Sequence, residues 1–66
     1  MSFEHAIPFK DQFLTYDHGW ASGTKHIYNQ SLNYYVNNGF PKTNYRAMVI
    51  RCLNRLSKWC LEQGLT

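Results

Sequence analysis

Acidic residues are scarce in this chain. Four Asp and Glu stand against seven Lys and Arg, a formal charge of +3. The four acids are Glu4, Asp11, Asp17 and Glu62, and no two share a helical face at short range. That excludes the paired carboxylates of general acid–base chemistry. Long apolar runs are missing too. The longest, Ala47 to Ile50, is four residues, so the sequence predicts no transmembrane helix and no secretory leader. The expectation is a cytoplasmic, intracellular protein that does not engage a membrane. Glycine is limited to four residues and proline to two, and no glycine-rich phosphate loop occurs.

Cysteine is equally sparse. Cys52 and Cys60 lie on one predicted helix, where eight residues at about 1.5 Å rise put them roughly 12 Å apart. A disulfide needs Cα atoms within about 7 Å, so the two are expected as free buried thiols. Together with His5, His18 and His26 they form none of the close Cys-x-x-Cys or His-x-x-x-His pairs of structural zinc. No metal or other cofactor is expected, and no catalytic residue is identified. Asp17 and His18 read as a polar helix end, where a histidine favours the negative end of the helix dipole.

Apolar and aromatic residues are abundant: 44% of the 66 residues are hydrophobic, and two Trp, five Tyr and four Phe are aromatic. They are organised by a repeated punctuation, glycine followed by a large apolar residue, at Gly19-Trp20, Gly39-Phe40 and Gly64-Leu65. Such a glycine ends a helix, and the next residue folds back on the last turn. The reading is an all-α, compact three-helix single domain, 1–66, with helices at about 8–18, 24–38 and 43–63 and residues 1–6 loose.

The third helix is the clearest. Tyr45, Met48, Val49, Cys52, Leu53, Leu56, Trp59 and Cys60 fall within an arc of about 140°, with Arg51, Arg55 and Lys58 opposite. Thr43 or Asn44 caps it, and Leu65 should reach Cys60. In the second helix Ile27, Tyr28, Leu32, Tyr34, Tyr35 and Val36 share one broad side, with Asn and Gln on the other. A hairpin over 25–36 is the rival, disfavoured because Asn29-Gln30-Ser31 lacks a turn glycine. The first helix, begun by Pro8, is short and marginal alone. Trp59, Leu56, Cys52 and Val49 are expected to pack on Tyr28, Leu32 and Tyr35, with Phe13 or Phe9 closing the end.

For function, the sequence points to a small non-enzymatic protein-binding module, an adaptor or inhibitor of a larger protein, or a homodimer. Chains this short and aromatic-rich suit the accessory proteins of phages and mobile elements. Ile50 and Leu61 lie off the apolar arc and about three turns apart, beside Arg51, Arg55 and Lys58; these five are the candidate partner-binding residues. The alternative is a helix-turn-helix nucleic-acid binder that presents Lys42, Thr43, Asn44 and Arg46 at the start of the third helix.

Overall fold

The computed structural model describes residues 3–65. A 3-10 turn, Ile7–Phe9, leads into α1 (Lys10–Thr15), followed by α2 (Ser22–Asn38) and α3 (Tyr45–Glu62). The three-helix all-α reading holds, and residues 25–36 are helical rather than a hairpin.

α3 forms as its periodicity requires. Val49, Cys52, Leu53, Leu56 and Cys60 are fully buried, and Tyr45, Met48 and Trp59 pack on the rim of the same cluster. Thr43 does the capping: its Oγ1 accepts the Tyr45 N–H at 3.3 Å. At the other end the Leu65 N–H donates to the Cys60 carbonyl at 2.9 Å and the Gly64 N–H to Leu61 at 3.2 Å. With Gly64 at φ 71° this is a Schellman stop, and Leu65 packs on the core.

α2 lies against α3, and α1 packs on both. Phe40 folds back on Tyr35 as expected, with ring centroids 5.0 Å apart. The buried stripe of α2 is narrower than its apolar content implies. It consists of Ser31 and Leu32, flanked by half-buried Tyr28 and Tyr35. Ile27, Tyr34 and Val36, read as part of the apolar side, are instead 41%, 38% and 45% exposed. Residues 28, 31, 32 and 35 span about 100° of the helix, which is all that two neighbouring helices cover.

Two segments differ from the sequence reading. α1 stops at Thr15, not near Gly19, because Tyr16 turns to extended backbone at ψ 142°. Thr15 Oγ1 donates to the carbonyls of Asp11 (2.9 Å) and Gln12 (3.2 Å), an alternative use of last-turn acceptors that suits a helix end. Residues 3–6 are not loose. Phe3 is 4% exposed and Ala6 is fully buried, and the Ala6 N–H donates to the Phe3 carbonyl at 3.0 Å. An isolated Phe3 has no periodic partner to announce this in the sequence. Met1 and Ser2 lie outside the described residues.

Candidate binding site

Five of the chain's eleven aromatic residues, together with His18, meet where the end of α1, the loop after it, α2 and α3 come together. Trp20 stacks flat between two rings, His18 at 4.0 Å and Tyr28 at 4.2 Å, each inclined by 15°. Phe13, buried at the centre, meets Trp20, Tyr28 and Trp59 edge to face at 5.5–5.9 Å. Tyr16 and His18 add edge contacts to Trp59 at 5.5 and 6.2 Å. His18 is fixed from α1: its Nε2–H donates to the Phe13 carbonyl at 2.7 Å. It thus satisfies a helix-end acceptor, as its position in the sequence suggested, while its ring joins the stack. Asp17 holds the loop by accepting the Gly19 N–H at 3.0 Å.

Beside this cluster lies an open cavity of about 270 Å³. One side is formed by the rings of Tyr16, His18 and Trp59 over buried Phe13, and the rim by Arg55 and Lys58 with Asp17 and Glu62, so that the lining is more polar than apolar. Arg55 and Lys58 are exposed. Neither forms an ion pair; among the described residues the one salt bridge joins Lys10 to its neighbour Asp11 at 2.9 Å. The Trp59 indole N–H is buried without a hydrogen-bond acceptor among the described residues.

Of the five partner-binding candidates, the structure brings only Arg55 and Lys58 to this cavity. Arg51 is exposed on the same helix. Leu61 stands in solvent at 65% exposure. Ile50 is half-buried, because its side of α3 is partly occupied. Ser57, seven residues on and so on the same side, lies 3.2 Å from His5 through its Oγ and the histidine Nε2. The candidates at the start of α3 are all exposed. Thr43 is engaged as the cap, and the Arg46 guanidinium lies 5.4 Å from the centre of the Phe40 ring, a cation–π contact.

Sequence reasoning missed the aromatic wall. Trp20 sat in a loop with no periodicity, and His18 read only as a polar helix end. It also missed Ser31, which is fully buried. The Tyr45 hydroxyl donates to Ser31 Oγ at 3.1 Å, and Ser31 in turn hydrogen-bonds the Cys52 thiol. Burial pushes the Cys52 thiol above its ordinary pKa, against the opposing pull of Ser31 and Arg51. Burial likewise raises Cys60. Both thiols are unpaired and buried, the state in which cysteine is an inert packing group. No three His, Cys, Asp or Glu side chains converge on a metal-sized site among the described residues. None of their helices is long and apolar enough to cross a membrane.

No protein-family model, curated protein or solved structure matches this chain.

Proposed function

We propose that this chain is a small, non-enzymatic binding module that docks a larger protein as an adaptor or inhibitor. The observation that carries the reading is the outer side of α3. It exposes Leu61, the most exposed of the large apolar residues at 65%, beside three cations, Arg51, Arg55 and Lys58, that have no ion pair among the described residues. An apolar anchor set next to unengaged arginines is the composition of an interaction surface.

The test is co-purification of the tagged full chain from its own cells, followed by titration with each purified partner candidate. Leu61→Ser leaves the core untouched and should weaken a true partner by about tenfold or more, the loss of one well-packed anchor. Ile50→Ser is the poorer probe, since half-burial makes it a stability variant as well. Full affinity in Leu61→Ser and in Arg51→Glu/Arg55→Glu would remove this face from the reading.

A second reading, nucleic-acid binding, draws on the exposure of Lys42, Thr43, Asn44 and Arg46 at the start of α3. It is the weaker one, because Thr43 and Arg46 already have local partners. A mobility shift that falls steeply with salt and is lost in Arg51→Glu/Arg55→Glu would favour it.

A further inference from the structure

We infer that the cavity between the Tyr16–His18 loop and α3 receives an acidic side chain of a protein partner, together with an apolar side chain next to it. The inference rests on the protein-binding reading and names the chemistry of the partner.

Three observations converge on the cavity. The first is charge. Two cations, Arg55 and Lys58, share the rim with two acids, Asp17 and Glu62, and neither cation forms an ion pair with any described residue. Glu62 lies one turn beyond Lys58 and lines the same cavity, yet no bridge forms, so both cations keep their donors for an outside acceptor. An arginine and a lysine three residues apart on one helix face suit a carboxylate well, since the guanidinium offers a planar fork and the ammonium a mobile point charge.

The second observation is the wall. Tyr16, half exposed, and the part-exposed rings of His18 and Trp59 give a small aromatic surface directly beside the cations. A carboxylate alone would leave it wet. A neighbouring leucine or aromatic residue of the partner would cover it, and an adjoining apolar surface lowers the local dielectric and strengthens the ion pair.

The third observation decides between a protein and a nucleic acid. Asp17 and Glu62 share the rim with the two cations. A phosphate backbone presents a continuous row of negative charge and would meet both acids with repulsion. A peptide presents a carboxylate flanked by N–H donors, which these acids accept. Base stacking is also blocked at the obvious indole, because both faces of Trp20 are covered, by His18 and by Tyr28.

The experiment selects from a phage-displayed random-peptide library on the immobilised full-length chain. Selected peptides are then titrated into ¹⁵N-labelled protein, with single-stranded and duplex oligonucleotides as parallel probes. The expected result is enrichment of Asp or Glu next to Leu, Phe or Trp, with the largest shifts at the Trp59 indole N–H and at Tyr16 and Arg55. Arg55→Glu/Lys58→Glu, checked for folding by circular dichroism, should lose at least about tenfold in affinity. Glu62→Gln should gain several-fold, a change that a merely structural residue would not produce.

Peptides without an acid, or shifts confined to α2, would overturn this inference and leave the protein-binding reading standing. Selection of no peptide at all, or shifts at this cavity with oligonucleotides only, would overturn both.

Discussion

Ser31 shows how little a polar side chain needs to be tolerated in this core. It is the one polar residue fully buried among those described, and it survives there because Tyr45 donates to it and it bonds Cys52 in turn. Removing the Ser31 hydroxyl takes away the acceptor of the Tyr45 hydroxyl, a loss of about 1 kcal/mol for an ordinary hydrogen bond. The thiols make a second, pH-dependent contribution. Burial raises the pKa of both Cys52 and Cys60 in the folded chain, so folding favours their neutral form. The associated stability is fully present below the unfolded thiol pKa of about 8.5 and is lost as pH rises from there through the folded values. Urea midpoints should therefore hold level from about pH 7 to 8 and fall above about pH 8.5. The fall should shrink in Cys52→Ala/Cys60→Ala; an equal fall in that variant would assign it to other groups.

Among the elements, the turn between α2 and α3 depends most on a single residue. Gly39 closes α2 by donating to the Tyr35 carbonyl at 2.8 Å. It sits at φ 77° and ψ −156°, a region open only to glycine and distinct from the left-handed helical conformation of the usual glycine helix stop. A Cβ placed there meets no atom within 4 Å, so any penalty is conformational strain alone. Gly39→Ala should cost about 1 kcal/mol or more by thermal or urea unfolding; an unchanged midpoint would show that the turn relaxes. Legibility in the sequence followed the strength of periodic burial. α3 could be read almost residue by residue because five of its eight arc positions are fully buried. α2 could be located but not oriented, since Ile27, Tyr34 and Val36 count as apolar while facing water. The burial of Phe3 was illegible because it is set by contacts distant in the chain, and the end of α1 because it falls at Thr15–Tyr16, where no glycine marks it. The same holds for the candidate site. The cations of α3 stood out on the helical projection, whereas the aromatic wall exists only once four separate segments meet.

The whole molecule is thin, 32 × 27 × 16 Å with a Cα radius of gyration of 11.3 Å. A helix with its side chains is about 10–12 Å across, so no helix here is surrounded, and apolar residues reach the surface on α2 as well as α3. Charge contributes little to holding the fold. The one ion pair among the described residues joins adjacent side chains of α1, with Asp11 largely exposed, and such pairs are worth at most about 1 kcal/mol. The unfolding midpoint should move little between low and roughly physiological salt, while affinity for an acidic partner should fall as the cations of α3 are screened. A midpoint as salt-sensitive as the binding would contradict this division of labour. The Trp20 sandwich has one more consequence. Both tryptophans of the chain lie within one cluster, Trp20 flat between an imidazole and a phenol and Trp59 ringed by three edges. Their emission and near-ultraviolet dichroism therefore report the closure of the corner where α1, α2 and α3 join, and the molecule carries its own optical gauge beside the cavity that a partner would fill.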